Sequence, residues 1–298
     1  MRLPRLAAAT TALPLLALGL AACSSSSAPA NSASASASAS TNATQPHRIV
    51  SLSPTATEDL FAIGAGSQVA AVDKDSNYPS NAPKTTLDPI TPNVEAILKY
   101  NPDLVVASED SNGLAAALKK VGVSVLIEPA ANTLNDAYTQ IERLGAATGH
   151  PSSADSTVAT MKSAITAAVR QAGSKHADLS YYWELDPTYY SAMSSTFIGQ
   201  IMGLFGLKDI ADKVDKAADG GYPQLSSEYI VQFSPNIVFL ADTVCCGANA
   251  TSVAARPGWS GIVAVKVDDV VGLNDDVASR WGPRIVQFAR SVARIAKG

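Results

Sequence analysis

The stretch TPNVEAILKYNPDLVVA at residues 91–107 is echoed by LSSEYIVQFSPNIVFLA at residues 225–241. In both copies a glutamate, Glu95 or Glu228, is followed by an apolar pair and then, at the same interval, by a proline. An aspartate or asparagine after that proline opens a run of aliphatic and β-branched residues. Each copy therefore predicts a short helix that leads into a buried strand, and the repetition predicts two similar lobes.

The N-terminus has the composition of an export signal. Arg2 and Arg5 precede an apolar run at residues 6–20 that is too short to span a bilayer, so residues 1–22 are predicted to be a signal peptide. The small residues before Cys23 resemble the lipobox of bacterial lipoproteins. That resemblance implies cleavage before Cys23, lipidation of its sulfur and anchoring on the extracytoplasmic face of the cell membrane. An ordinary signal peptide with an incidental cysteine is the alternative.

The segment that starts at Cys23 offers almost nothing to bury. Residues 23–46 are mainly Ser, Ala, Asn and Thr, which predicts a lipidated cysteine followed by a disordered tether. The remaining residues, about 250, are enough for two lobes of ordinary size. The chain has a net charge of −4 and no basic stripe, which argues against a nucleic-acid partner.

The chain has three cysteines, and two of them, Cys245 and Cys246, are adjacent. If Cys23 is lipidated, these two thiols outside the cytoplasm can pair only with each other or with another molecule. A bond between neighbours would be strained and comparatively reducible, because the two Cα atoms lie closer than a relaxed disulfide prefers. A vicinal disulfide and a pair of free thiols both remain open at this point.

The rest of the chain alternates short apolar strands with helices. This pattern predicts an α/β fold of two Rossmann-like lobes with mainly parallel sheets, joined by a single long helix. The predicted boundaries are residues 47–150 for the N-terminal lobe, 151–177 for the connecting helix and 178–298 for the C-terminal lobe. Loops at the carboxyl ends of the strands are then the expected ligand positions.

Several motifs, in their order and spacing, resemble the substrate-binding proteins of iron-complex and vitamin B12 ABC importers. The resemblance covers nearly all of the chain from Arg48 to Ala296 and rests on RIVSLSPTATE at 48–58, NYP at 77–79, VE at 94–95, PDLVV at 102–106, DPTYY at 186–190, TFI at 196–198, PNIV at 235–238 and RWGPR at 280–284. It implies that the ligand is held between two lobes, that the protein is not an enzyme, and that it has no cofactor and is a monomer.

The resemblance gives the repeated glutamates a role. It implies that Glu95 and Glu228, one on each lobe, dock onto arginines of a dimeric ABC permease, whose symmetry would suit two similar carboxylates. The alternative is that each glutamate only stabilises the first turn of its helix through the helix dipole.

Aromatic side chains are scarce, so those near the predicted cleft loops are the candidate ligand contacts. Aromatic rings supply contact area for a large chelate at small entropic cost, and a few polar groups fix its orientation. Core packing beside a sheet is the alternative for each ring, whereas Arg280 matches the position at which the family places a ligand-facing arginine. The candidates are Tyr78, Trp183, Tyr189, Tyr190, Tyr222, Arg280 and Trp281.

The metal chelate itself is less well defined by the sequence. A free-metal receptor would need several convergent ligands, and His47, His150 and His176 lie at positions that cannot readily converge, so no resident metal site is expected. The resemblance favours cobalamin or another corrinoid, with ferric siderophore or heme as the alternative. An exported enzyme is disfavoured because the common catalytic motifs are missing, and an adhesin or sensor of the same fold is a further alternative.

Overall fold

The computed structural model describes residues 45–174, 177–214 and 220–295. The predicted signal peptide, Cys23, most of the predicted tether and His176 lie outside these ranges. Residues 44–298 form one compact unit. No helix in the described part of the chain is long and apolar enough to cross a membrane.

The N-terminal lobe is built on four parallel strands in the order β2-β1-β3-β4. These are β1 Ile49–Leu52, β2 Val69–Val72, β3 Leu104–Ala107 and β4 Ser124–Ile127. The helices of this lobe are α1 Pro54–Ala62, α2 Val94–Leu98, α3 Leu114–Lys119 and α4 Leu134–Thr148. The sequence analysis did not predict α4.

A tight turn joins α4 to the long helix α5, Pro151–Ala172. Gly149 ends α4 with φ +79°, and Pro151 occupies the first turn of α5, where its missing N–H costs nothing. The 22 residues of α5 span roughly 33 Å. It ends earlier than the predicted 151–177, because Gly173 leaves the helix with φ +67°.

The C-terminal lobe repeats the topology of the first, with four parallel strands in the order β6-β5-β7-β8. These are β5 Ser180–Glu184, β6 Lys208–Asp209, β7 Ile237–Leu240 and β8 Val270–Gly272. Its helices are α6 Phe197–Leu204, α7 Ser227–Phe233, α8 Ala250–Ala254, α9 Val263–Lys266, α10 Asp275–Ser279 and α11 Ile285–Ile295. The predicted α/β fold with two parallel-sheet lobes is confirmed.

The largest hydrophobic cluster is continuous through both lobes. Helix α5 buries a stripe at helical spacing, which includes Val158, Met161 and Ile165, and α4 and α11 pack against this helix. Two further clusters cover the other face of each sheet. Since both faces of both sheets are covered, the central strands β1, β3, β5 and β7 are almost entirely buried, whereas the edge strands β4 and β8 are only half-buried or exposed.

The segments that follow the strands of one lobe contact the other lobe. Asn77, which follows β2, donates a hydrogen bond to Asp276 Oδ2 at 2.7 Å. Gln200 of α6 donates to the carbonyl of Asn132, which follows β4, at 2.6 Å. The carboxyl edges of the two sheets therefore border a common cleft, the position at which α/β sheets bind ligands.

Candidate functional site

Arg280 lies between the two lobes and is held by hydrogen bonds to both of them. One guanidinium nitrogen donates to Glu58 Oε1 and to Asn77 Oδ1, each at 2.9 Å. The other donates to the Asp75 carbonyl at 3.1 Å and to Asp276 Oδ1 at 2.7 Å. Only 9% of the residue is exposed. The structure therefore places this predicted ligand contact in an ion-pair network between the lobes.

Arg284 completes the same network and positions Tyr78. Its guanidinium donates to both Glu58 oxygens, at 2.8 and 2.5 Å, and this hydrogen bonding raises the pKa of Arg284. The guanidinium carbon also lies 4.3 Å from the centre of the Tyr78 ring. Tyr78 is 44% exposed, so one part of this ring packs on Arg284 while the rest is available to a ligand.

Tyr190 and Tyr222 are brought together by two paired backbone segments. Tyr190 forms an antiparallel bridge with Gln224, and Ser191 N–H donates to the Pro223 carbonyl at 2.9 Å. Tyr190 is 40% exposed and Tyr222 is 44% exposed. Both rings therefore belong to one aromatic edge on the C-terminal lobe.

Tyr189 is packed more tightly than its neighbour. Its ring stacks on Trp259 with centroids 5.8 Å apart, and the Arg256 guanidinium carbon lies 5.5 Å from the Tyr189 ring centre. Arg256 in turn makes two hydrogen bonds of 2.6 Å to Glu184, a buried carboxylate at the end of β5. Tyr189 is half-buried in this cluster and offers only part of its ring.

Trp183 must be removed from the candidate ligand contacts. Its side chain is 0% exposed and packs between Phe239, with centroids 6.1 Å apart, and Phe288, at 5.5 Å. Strand β5 lies between two covered sheet faces, so either orientation of Trp183 would be buried. Trp281 is half-buried, and its ring N–H donates to Gln140 Oε1 at 2.8 Å, which places Trp281 at the contact between the lobes.

Several carboxyl groups near the cleft are buried, and their pKa values are raised. Burial raises the pKa of Asp242, directly after β7, to about 7, and the negative charge of Glu184 contributes to this shift. Burial also raises the pKa of Asp59 on α1, with further contributions from Glu58 and Glu128. The one sequence signal for Asp242 is its position two residues after a central strand.

Among the described residues that border the cleft, the arginines are already paired with carboxylates. Arg256, Arg280 and Arg284 are each paired with a buried carboxylate. Exposed carboxylates remain on segments that follow strands, such as Asp75 after β2 and Glu109 after β3.

Glu95 and Glu228 occupy equivalent places in the two lobes. Each is the second residue of its helix, α2 or α7, behind an N-cap formed by Asn93 or Ser226, and each helix leads into a central strand. A helix between parallel strands runs back across the sheet, so its N-terminus lies at the carboxyl edge. Both glutamates are exposed, and neither carboxylate is paired with another described residue. They are two free acceptors on the edge that borders the cleft.

A loop on the same edge carries the adjacent cysteines. Cys245 and Cys246, which follow β7, are joined by a disulfide in the structure. Among the described residues, no group of three or more His, Cys, Asp or Glu side chains is placed to hold a metal ion.

Two lobes with parallel sheets around a common cleft, an aromatic edge and two matched carboxylates define a two-lobed solute-binding protein. The chain belongs to the periplasmic binding protein family, whose model matches residues 49–277. This confirms the class of protein expected from the sequence motifs.

Known relatives support the same assignment. Over 258 residues the chain is 32% identical to an uncharacterized ABC transporter substrate-binding lipoprotein, YvrC of Bacillus subtilis, with coverage of 84% of this chain and 79% of the relative. Over 255 residues it is 30% identical to a cobalamin-binding protein of Halobacterium salinarum, covering 82% and 68% of the two chains. The fold matches the periplasmic heme-binding protein HutB of Vibrio cholerae with a TM-score of 0.74 at 22% identity, covering 84% of this chain and 99% of that one. These relatives are named for binding rather than for catalysis.

Proposed function

We propose that this protein captures a metal chelate without net negative charge in its interlobe cleft and delivers it to an ABC importer. Cobalamin or another corrinoid is the first choice of ligand. The observation that carries this choice is the combination of exposed tyrosines with arginines that are already paired. The described residues of the cleft offer apolar contact area but few unpaired positive charges.

Three tyrosines on segments that border the cleft, Tyr78, Tyr190 and Tyr222, keep 40 to 44% of their surface exposed. Such rings cover the apolar face of a large ligand without loss of many rotamers. A corrinoid is a large macrocycle with apolar faces and an amide-rich fringe, and it suits this surface. The cobalamin-binding relative from Halobacterium salinarum supports the same choice.

The pairing of the cleft arginines favours corrinoids over anionic chelates. Catecholate siderophores and heme carry carboxylate or catecholate charges that favour unpaired arginines or lysines. Here Arg280 donates to protein acceptors in both lobes, and Arg284 is held by Glu58. Binding an anion would require these ion pairs to be broken, at a cost that a neutral ligand avoids.

Heme is the second candidate, because an exposed tyrosine can serve as an axial ligand of heme iron. Tyr78, Tyr190 and Tyr222 are the available phenols. Because the fold also matches that of a heme-binding protein, hemin is included among the ligands to be tested.

A panel of coloured ligands tests the proposal. The fragment 44–298, which forms one compact unit, is incubated with cyanocobalamin, hemin, a ferric hydroxamate or a ferric catecholate and then passed through a gel-filtration column. We expect the cyanocobalamin spectrum to elute with the protein. Retention of hemin alone would favour the second candidate, and retention of no ligand would contradict the proposal.

Delivery requires that the protein stay near its permease. We propose that the lipid on Cys23 anchors the body and that Glu95 and Glu228 dock on the permease. Replacement Cys23→Ala should move the protein from the membrane fraction to the soluble fraction, because one lipid-modified residue supplies the anchor. Unchanged membrane retention of that variant would contradict the anchoring proposal.

A further inference from the structure

The loop that follows β7 presents an apolar surface at the cleft edge. Residues 244–247 are exposed, and Val244 has 68% of its surface accessible, one of the most exposed aliphatic side chains among the described residues. The next two residues, Cys245 and Cys246, are joined through their sulfur atoms. A disulfide has no strong hydrogen-bonding group, and its sulfur atoms are polarizable, so this tip offers dispersion contacts rather than polar ones.

One carboxylate accepts several hydrogen bonds from this loop. Asp275, at the start of α10, accepts the Cys245 N–H at 2.7 Å and the Val244 N–H at 3.0 Å. The Thr243 hydroxyl donates to the same carboxylate at 3.2 Å and to the Leu273 carbonyl at 2.5 Å. The loop is therefore held against α10 by several hydrogen bonds to one charged acceptor.

The same helix turn connects the loop to the contact between the lobes. Asp276, the neighbour of Asp275, pairs with Arg280 and accepts a hydrogen bond from Asn77 of the N-terminal lobe. One residue thus orients the disulfide loop, and the next residue holds the opposite lobe. The disulfide and Val244 lie beside the cleft rather than on a remote surface.

The disulfide also limits the shapes that the loop can adopt. It closes a small ring across the peptide bond between Cys245 and Cys246. The ring removes backbone freedom next to the Val244 and Cys245 N–H groups that bind Asp275. Both cysteines are exposed, so a reductant in solution can reach them.

We propose that Val244 and the Cys245–Cys246 disulfide form an apolar lip of the ligand cleft, and that reduction of the disulfide weakens ligand binding. This inference rests on the proposed function, because it assigns a part of the binding surface for the same chelate. In the reduction a dithiol donates two electrons and two protons. The sulfur–sulfur bond breaks, two S–H bonds form, and the dithiol closes to its own disulfide.

The test uses the fragment 44–298, in which Cys245 and Cys246 are the only cysteines. One sample is reduced with a dithiol and desalted without air before cyanocobalamin is added, so that the reductant does not act on the corrinoid. Mass spectrometry after iodoacetamide treatment counts the free thiols in both samples. Titration calorimetry then compares the oxidised protein, the reduced protein and the variant Cys245→Ser/Cys246→Ser.

We expect the reduced protein and the serine variant to bind about threefold to tenfold more weakly than the oxidised protein, since the loss is that of a small apolar contact. Val244→Ser should weaken binding by a similar factor while the disulfide stays intact. Val267→Ser is the matched control, because Val267 is 57% exposed in the same lobe but precedes β8, at the opposite edge of the sheet. It should bind like the parent protein.

Three results would overturn this inference. Two alkylated cysteines in the protein before reduction would show that the disulfide does not form. Equal affinity of the oxidised, reduced and Val244→Ser proteins would remove the lip from the site while leaving the proposed function intact. Failure of all samples to bind cyanocobalamin, hemin and both ferric siderophores would contradict the proposed function and this inference with it.

Discussion

At the scale of single residues, Glu58 is the carboxylate on which the two lobes converge. It is 2% exposed and accepts hydrogen bonds from Arg280 and Arg284 of the C-terminal lobe. A buried charge of this kind is favourable only while its partners are present.

Replacement Glu58→Gln should therefore destabilise the protein strongly. The two guanidinium groups would keep their charges but lose the shared carboxylate, and the expected cost is about 3 to 5 kcal/mol of unfolding free energy. Urea unfolding of the fragment 44–298 measures this change. Glu142→Gln is the matched control, because Glu142 is exposed on α4 and should change stability by less than about 0.5 kcal/mol. Equal stability of both variants would contradict the role given to Glu58.

The pH dependence of stability follows from the buried carboxyl groups. The pKa of Asp242 is raised from 3.8 to about 7 by burial and by Glu184, and burial raises that of Asp209 to about 7 as well. The folded state therefore binds more protons than the unfolded state between these values. Stability from these groups is fully present below pH 3.8 and is lost as the pH rises through about 7.

Replacement Asp242→Asn tests this sign. An amide resembles the protonated carboxyl group, so the variant should lose less unfolding free energy than the parent protein between pH 5 and pH 7. Each titrating group contributes a slope of at most about 1.4 kcal/mol per pH unit. Asp155→Asn, at an exposed position of α5, should leave the parent slope unchanged. An unaltered slope in Asp242→Asn would show that Asp242 does not titrate in this range.

For some residues, the sequence alone did not predict the burial or the contacts of the side chain. Trp183 belongs to an aromatic cluster in the sequence, but the sequence does not show that Phe239 and Phe288 enclose it. Arg280 and Glu58 are far apart in the chain, so their ion pair has no local signal. Exposure of Tyr78, Tyr190 and Tyr222 was consistent with the sequence because each lies in a loop rich in turn-forming residues.

At the scale of elements, α2 and α7 are the two copies of one unit. Both helices start with a capped turn that carries an exposed glutamate, and both lead into the central strand of their lobe. The repeat was visible in the sequence because the spacing of Glu, Pro and strand residues is the same in both copies.

Reversal of both charges, Glu95→Arg/Glu228→Arg, should abolish uptake of the chelate by cells. The proposed partner is a permease that presents arginines, so two new positive charges would repel it. Ligand affinity of the purified variant should remain unchanged. The control is Glu142→Arg/Asp155→Arg, which makes the same change of charge at exposed positions of α4 and α5. Normal uptake by the Glu95/Glu228 variant would refute the docking proposal.

Replacement by alanine should have opposite effects on stability at two glycines of α6. A Cβ at Gly199 would overlap the Met193 carbonyl and the Ser194 backbone, whereas a Cβ at Gly203 would meet nothing within 4 Å. Gly199→Ala should therefore cost about 1 to 3 kcal/mol of unfolding free energy. Gly203→Ala should add about 0.5 to 1 kcal/mol, because alanine favours the helix. Thermal and urea unfolding measure both changes, and equal effects would contradict the packing described for α6.

Elements with strong periodicity were predicted well, and short ones were not. The helix and strand predicted from each copy of the repeat agree with α2 and β3 and with α7 and β7, because each copy places a run of apolar residues after the break at its proline. Strand β6 has only two residues, too few to form a pattern. Helix α4 was missed although Thr133 and Asp136 form a capping box at its start, a signal that the sequence does contain.

At the scale of the whole molecule, two lobes of the same topology face each other across a cleft that is already bridged. Arg280, Asn77 and Gln200 all take part in contacts between the lobes. These contacts and the continuous core through α5 and α11 favour a body that changes its shape little when a ligand binds. The sequence predicted the lobes from the repeat, but the bridging contacts depend on the folded arrangement.

The cleft is proposed to bind one metal chelate through its exposed tyrosines. Titration calorimetry of the fragment 44–298 with cyanocobalamin tests this most directly, with Tyr190→Ala/Tyr222→Ala as the variant and Tyr190→Phe/Tyr222→Phe as the control that keeps both rings. We expect one saturable site in the parent protein, affinity about tenfold or more weaker in the alanine variant, and nearly parental affinity in the phenylalanine variant. The absence of saturable binding in the parent protein, or the same affinity in all three proteins, would contradict it.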